Sequence, residues 1–272
     1  MSQKPDCGVG LFGIVNITED SFSDGGRYLT PEAALAHARN LALDADVLDL
    51  GGASSHPDAM PVAPDVEIAR LAPLVTALKN GGIPISIDSF APEVQRWALA
   101  QHVDYLNDIQ GFPHTEIYPE LAASSAKLVV MHSVQQRGHA TRVDVPPQEI
   151  VGRCIAFFEQ RIAALTNAGV ARERLILDPG MGFFLGSNPD ASVMMLRALP
   201  QLKAAFNLPL LVSVSRKSFL RHIAAREPRE AGAATLAAEL FAIAQGADYL
   251  RTHDPAATRD ALKVQRALQS LT

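Results

Sequence analysis

Short apolar runs recur along this chain, and nearly every one ends in a polar residue capable of chemistry. Eight of them lie at 11–15, 47–50, 84–87, 105–109, 127–131, 174–177, 209–214 and 248–250. Runs such as 127–131 are continuously apolar after the first residue, with Val129 and Val130 β-branched, as suits strands of a parallel sheet covered on both faces. Between the runs the apolar positions spread out to helical spacing. Thr30-Pro31-Glu32 and Ala91-Pro92-Glu93 place a proline in a first helical turn, with Thr30 as N-cap of the earlier helix. A helix from Asp65 would bury Val66, Ala69, Leu71, Leu74 and Leu78. Others are predicted over 148–167, stopped by Gly169, and over 190–206, 229–245 and 255–271. Segments 132–147 and 180–189 read as loops, the first long enough to be a functional or mobile element. The alternation predicts a single α/β domain over residues 1–272, a (β/α)8 TIM barrel. An open doubly wound sheet is the alternative, and it lacks a Gly-x-Gly-x-x-Gly after the first strand.

In such a barrel all strand C-termini open onto one face, so the polar ends of the runs should converge there. Those ends are Asn16, Gly51-Gly52, Asp88, Asn107-Asp108, His132, Asp178, Ser215-Arg216-Lys217 and Arg251-Thr252-His253. The last two are cationic and follow strands seven and eight, where barrels commonly bind phosphate. Arginine forks to phosphate oxygens and lysine adds a point charge. The other reading makes these cations counter-ions for neighbouring carboxylates. Asp88, Asp108 and Asp178 supply the opposite sign. A carboxylate in an apolar barrel mouth needs a partner, and the edge of an amino-pyrimidine matches both its oxygens. Helix capping competes for Asp88, just ahead of Ala91-Pro92, and a metal cluster would also use such acids. Asp178 precedes Pro179-Gly180, a turn rather than a cap. His132 stands alone and is read equally as structural or functional.

Composition narrows the partners. The chain has 272 residues and a net charge of −5, with no basic cluster of the kind that tracks nucleic acid. Hydrophobic residues make up 48% and charged residues 19%, ordinary for a globular protein and contrary to disorder. Cys7 and Cys154 have no companion at metal-ligand spacing, which fits a reducing cytoplasmic setting, and the lack of a paired-Cys or His-Glu-x-x-His motif speaks against a structural zinc site. No signal peptide and no membrane span are expected. A diphosphate ligand would bring Mg2+, which relies on few protein oxygens beside the phosphates, and Asn16 is a suitable one.

Taken in order, the motifs resemble those of the dihydropteroate synthases over essentially the whole chain. They are the run from Asn16 to Gly26, Ser86-Ile87-Asp88, Asn107-Asp108-Ile109, Val130-Met131-His132, Asp178-Pro179-Gly180, Ser215-Arg216-Lys217-Ser218 and Arg251-Thr252-His253. Each alone is weak, and seven in order at strand ends are specific. The resemblance implies a transferase joining 6-hydroxymethyl-7,8-dihydropterin diphosphate to p-aminobenzoate, with release of diphosphate. It implies that Asp88, Asn107 and Asp178 hold the pterin, with Lys217 on its carbonyl side and Asp88, Asp178 and Lys217 as the catalytic set. Ile109, Met131, Ser215 and Arg216 would complete the substrate site. Arg251 and His253 would grip the diphosphate and Asn16 would reach Mg2+. The loop 18–27, with Phe22, would close over the site. It further implies a homodimer through the helices around 233–244 and 255–268.

Two loops depart from the ordinary family pattern. Where the family has Glu-Ser-Thr-Arg-Pro-Gly, this chain has Ala53-Ser54-Ser55-His56-Pro57-Asp58, so a permanent charge becomes one that depends on pH. After Asp178-Pro179-Gly180 comes Met181-Gly182-Phe183-Phe184-Leu185, about two residues longer than usual and without the family's lysine. Both changes fall where p-aminobenzoate would meet Ser55, His56, Phe183 and Phe184. They resemble the mobile-element-borne, sulfonamide-insensitive members of the family. Two other enzyme classes are alternatives: a pterin-binding methyltransferase of the same barrel superfamily, which needs no diphosphate grip, and a Schiff-base aldolase using Lys217.

Overall fold

The structure, a computed structural model, describes residues 8–17, 31–56, 58–135, 140 and 143–269. The expectations placed on Cys7, on the loop 18–27 with Phe22, on Thr30, on Pro57 and on positions 136–139, 141 and 142 of the loop 132–147 lie outside the described residues.

Eight parallel strands form the inner sheet: β1 (Gly10–Asn16), β2 (Val47–Gly51), β3 (Ile85–Asp88), β4 (Tyr105–Asp108), β5 (Lys127–Met131), β6 (Leu175–Asp178), β7 (Leu211–Val212) and β8 (Tyr249–Thr252). Their order is β6-β5-β4-β3-β2-β1-β8-β7, and a parallel bridge between Leu177 and Leu210 brings β6 to the segment entering β7. The sheet is therefore a nearly closed (β/α)8 barrel. Around it run α1 (Pro31–Leu41), α2 (Pro64–Asn80), α3 (Pro92–Ala100), α4 (Tyr118–Ala123), α5 (Ile150–Asn167), α6 (Pro189–Arg197), α7 (Leu199–Phe206), α8 (Ser218–Ala224), α9 (Gly232–Ala244) and α10 (Pro255–Gln269). Among the described residues no helix is long and apolar enough to cross a membrane.

Strand side chains alternate between the two faces of the sheet. Leu11, Val15, Leu48, Leu50, Leu128 and Val130 belong to the large core between barrel and helices. Their neighbours Phe12, Val47, Val129, Ile176 and Leu211 form a separate cluster with Tyr105 and Tyr249. That cluster plugs the N-terminal end of the barrel, where Phe12 meets both tyrosine rings edge-on at 5.0 and 5.6 Å. Continuing the strands by two residues leads from the plug to Ile14, Asp49, Asn107, Met131, Asp178, Ser213 and Arg251.

The strand mouths opposite are tied by a repeated device. Asp46, Asp104 and Asp248 each precede a strand and accept the backbone N–H of Leu11, Ile85 and Leu210 at 2.8, 2.9 and 2.7 Å. Each thus joins an even-numbered strand to the odd one before it, at β1–β2, β3–β4 and β7–β8.

Several boundaries differ from expectation. The predicted strand 209–214 keeps ladder pairing only at Leu211–Val212; Pro209 has no N–H to give and enters only as an acceptor, from Leu177 N at 2.9 Å. The single helix expected over 190–206 is α6 and α7, interrupted at Ala198 because Pro200 can sit only in a first helical turn. The loop 180–189 contains a 3-10 turn at Gly182–Leu185, and α4 and α8 were not anticipated. Asp88 does not cap α3: Ala91 precedes that helix, and Ser89 Oγ accepts the Ala91 N–H at 3.3 Å.

Candidate active site

At the C-terminal mouth of the barrel the even-numbered strands contribute one layer of four side chains: Asp49 from β2, Asn107 from β4, Asp178 from β6 and Arg251 from β8. Such alternation of strands between layers is the packing rule of these barrels. Asp88, Asn107, Asp178, Lys217 and Arg251 line a single cavity. Ser55, Ile109, Met131, Met181, Phe184 and Ser213 complete its walls. Its free space is about 20 Å3, room for about one water. The side chains themselves fill it.

Arg251 reaches across the cavity to two acids. Its Nε donates to Asp49 Oδ2 at 2.5 Å and its Nη2 to Asp88 Oδ2 at 2.6 Å. Of the two sequence readings for Arg251, a phosphate grip and a counter-ion for neighbouring carboxylates, the second is what these contacts show: it pairs with the buried Asp49 and the partly buried Asp88. Asp49 was not singled out from sequence. The signal was present, since it lies two residues beyond Val47 and shares the inward face.

Burial dominates the electrostatics. It pushes Asp88 up to about 7 against the pull of Arg251, with Asp49 and Glu67 adding to the rise. It pushes Asp178 up to about 6, opposed by the Gly180 N–H and by Lys217 and Arg251. Burial and the Arg251 charge bring Lys217 down to about 8, although Asp178 and Asp88 hold its proton. Lys217 Nζ stands 4.9 Å from the centre of the Phe184 ring. Asp178 Oδ1 accepts the Gly180 N–H at 2.8 Å, and Gly180 has φ +73°. A Cβ at Gly180 would fall 2.3 Å from the His132 carbonyl oxygen, so this turn requires glycine.

Other predicted residues lie elsewhere. Ser215 and His253 face each other beyond the cavity, with Oγ 2.9 Å from Nδ1. Burial, then the charges of Arg216, Arg251 and Lys217, hold His253 well below the usual histidine range, so its ring is neutral rather than a second cation. Arg216 takes a left-handed turn (φ 58°) and its N–H bonds Thr235 Oγ1 at 3.1 Å. His132 is buried beside the Phe157 and Phe158 rings, and burial lowers it to about 4. Its Nδ1, 3.1 Å from the Pro179 carbonyl, must be the protonated nitrogen. Asp108 is structural: it accepts from Gln110 N, Phe112 N and Gln95 Nε2 at 2.7, 3.1 and 2.8 Å.

A second cleft of about 200 Å3 adjoins the cavity, lined by Gly182, Phe183, Asn188, Ser218, Phe219 and His222. Phe183 and Phe184 thus face different spaces. His56 meets the Phe183 ring edge-on at 6.3 Å and stands 3.7 Å from Asp58. Ser55 O accepts the Ala140 N–H at 3.1 Å, tying the loop after β2 to the long loop after β5. At the end of β2, a Cβ on Gly51 would come 3.4 Å from Asn16 Oδ1 and 3.9 Å from Asp88 Oδ2. Asn16 therefore presents one neutral oxygen beside the acids. Among the described residues no group of three or more His, Cys, Asp or Glu could hold a metal by itself.

Residues 12–253 match the family described as pterin binding enzyme. The chain is 60% identical to the type-2 dihydropteroate synthase of Escherichia coli over 260 residues, covering 95% of this chain and 96% of that one. Among solved structures it resembles the dihydropteroate synthase of Xanthomonas albilineans with 4-aminobenzoic acid, at TM-score 0.86 and 37% identity over 97% of this chain and 94% of that one. It also resembles the Burkholderia cenocepacia enzyme complexed with 7,8-dihydropteroate, at TM-score 0.84 and 37% identity over 97% and 92%.

Proposed function

The chain belongs to the dihydropteroate synthase family of pterin-binding enzymes, and from that premise we propose how its own side chains carry out the condensation. It is a transferase that joins 6-hydroxymethyl-7,8-dihydropterin diphosphate to p-aminobenzoate, giving 7,8-dihydropteroate and diphosphate. One observation carries the assignment of roles. Buried polar atoms of the cavity wall, Asn107 Oδ1 and Ser213 Oγ, have no protein partner among the described residues. An unsatisfied buried polar atom costs about 1–3 kcal/mol. A wall with two of them, beside two acids and a lysine, is built for a flat polar ligand.

Asp178 takes the amino-pyrimidine edge of the pterin, Asn107 accepts from the ring, and Lys217 donates to the carbonyl side. Met131, Ile109 and Phe184 cover the faces. The diphosphate draws the Arg251 guanidinium off Asp88, which opens the space that Arg251 fills. Neutral His253 and Ser215 add hydrogen bonds to the anion. The C–O bond to diphosphate breaks with its electron pair on the leaving oxygen, and Asp88, released from its ion pair, stabilises the positive charge left on the pterin. The amine of p-aminobenzoate then forms the C–N bond and loses a proton to solvent. Asn16 would hold Mg2+ together with the substrate's phosphate oxygens, since one neutral oxygen suits an ion that keeps most ligands non-protein. Such an ion supplies charge neutralisation of the leaving diphosphate.

We assign p-aminobenzoate to the cleft beside Phe183 and Ser218. The longer loop after β6 puts Phe183 against it and admits a flat carboxylate better than a bulkier sulfonamide, so the enzyme is proposed to be sulfonamide-insensitive. Shape discrimination of this kind is worth about 1–3 kcal/mol. The protein is further proposed to be a cytoplasmic homodimer, a setting that suits the buried thiol of Cys154. A diphosphate-release assay with both substrates tests the reading. Release should require Mg2+ and persist at sulfonamide concentrations that stop an ordinary synthase. Release that ignores chelation removes the metal, and equal inhibition removes the resistance. Shortening the loop at Phe183–Phe184 to ordinary length should restore inhibition.

A further inference from the structure

Three of the four side chains in the even-strand layer meet the substrate in the function proposed above. The fourth, Asp49, has no role in it. Asp49 is fully buried, yet it is engaged twice through one oxygen: Oδ2 accepts from Arg251 Nε at 2.5 Å and from Asn107 Nδ2 at 3.3 Å. Its Oδ1 and the Asn107 Oδ1 are both buried without a protein partner among the described residues. The chemistry dictates which way the Asn107 amide points, because only its NH2 can donate to a carboxylate. Fixing Nδ2 on Asp49 leaves the amide oxygen as the atom offered to the cavity.

We propose that Asp49 is a positioning residue of the pterin pocket, which turns Asn107 so that its carbonyl reads a ligand N–H and which anchors Arg251 through Nε. The proposal rests on the pterin-site reading above. It explains why an acid stands mid-strand where a barrel of this kind would otherwise carry an aliphatic side chain. It also gives Arg251 a pivot. The guanidinium can exchange Asp88 for phosphate oxygens at its Nη atoms while Nε stays on Asp49.

The test compares Asp49→Ala, Asp49→Asn, Asn107→Ala and the double variant Asp49→Ala/Asn107→Ala in the full chain. Steady-state kinetics are measured for both substrates, with thermal unfolding alongside. A hydrogen bond to a charged group corresponds to about tenfold or more, so Asp49→Ala should raise KM for the pterin diphosphate by about that factor and leave KM for p-aminobenzoate unchanged. Asp49→Asn keeps an acceptor oxygen and should recover most of the loss. In the Asn107→Ala background the further effect of Asp49→Ala should shrink to about threefold or less, because the two act as a unit. Equal rises in both KM values with a lowered Tm would make Asp49 a structural filler and overturn the proposal. So would full additivity of the two substitutions, or no rescue by Asp49→Asn. If Asp49→Ala does not fold, Asp49→Asn and its combination with Asn107→Ala decide the same question. A wild-type chain that releases no diphosphate would instead remove the synthase reading, and the proposal with it.

Discussion

Lys217 is flanked by two carboxylates and a guanidinium in a site that water barely enters, so its proton and theirs are shared among neighbours. Asp178, raised to about 6, and Asp88, raised to about 7, must ionise before the pterin edge and its cation can be held. Lys217, lowered to about 8, loses its donor proton above that pH. The pH profile of kcat/KM for the pterin diphosphate should therefore climb through pH 6–7 and fall above about 8. Lys217→Arg replaces a titrating ammonium with a permanent cation. It should flatten the alkaline limb while lowering the rate, and a limb that survives the substitution would belong to another group. At this scale much of the site was readable. Asp88, Asn107, Asp178, Lys217 and Arg251 were named from their strand ends. Asp49 carries no such mark, because it sits inside its run, two positions before the polar end that begins at Gly51.

Elements, in turn, were readable where they were long. Helices such as α5 and α10 carry enough turns for apolar spacing to show, whereas α4 and α8 complete fewer than two full turns and leave no periodicity to detect. The aspartates opening β2, β4 and β8 form a repeat whose purpose appears only when the neighbouring strand is in place. Glu239 shows what packing between elements does to a side chain. It projects from α9 and is buried, and its Oε2 accepts the Thr258 hydroxyl of α10 at 2.7 Å. Burial raises it to about 7, against hydrogen bonds from Thr258 and from Thr252 of β8, with Asp254 adding to the rise. An acid raised on folding binds its proton more tightly in the native state. The native state is therefore favoured while Glu239 is protonated, and stability is lost as pH rises from the unfolded value of about 4.5 through about 7. Glu239→Gln removes the charge and keeps the shape. It should raise Tm clearly at pH 8 and leave it nearly unchanged at pH 4. A Tm difference that does not vary with pH would show that Glu239 is already relieved of its burial penalty.

At the level of the whole molecule, α9 and α10 both carry exposed apolar side chains. Phe241 on α9 and Val264 and Leu268, one turn apart on α10, are exposed at 41%, 60% and 70%. The proposed homodimer would cover them. Sedimentation should give twice the 29.1 kDa chain mass for the native protein, and Phe241→Glu with Leu268→Glu should return it to one; a native monomer would end that part of the proposal. From the chain alone follow the eight strands with all but the shortest helices between them, the two-residue rhythm that sends alternate side chains inward, and the set of polar ends that marks the family. These are local properties, since periodicity and turn chemistry act over a few neighbouring residues. Which charges meet is not local. Arg251 reaches Asp49 and Asp88 across 202 and 163 residues of chain, His253 is stripped of its charge by burial among cations, and Phe183 and Phe184 part into separate spaces. Closure of the barrel settles those outcomes, because pairing and desolvation depend on the atoms brought face to face across its mouth.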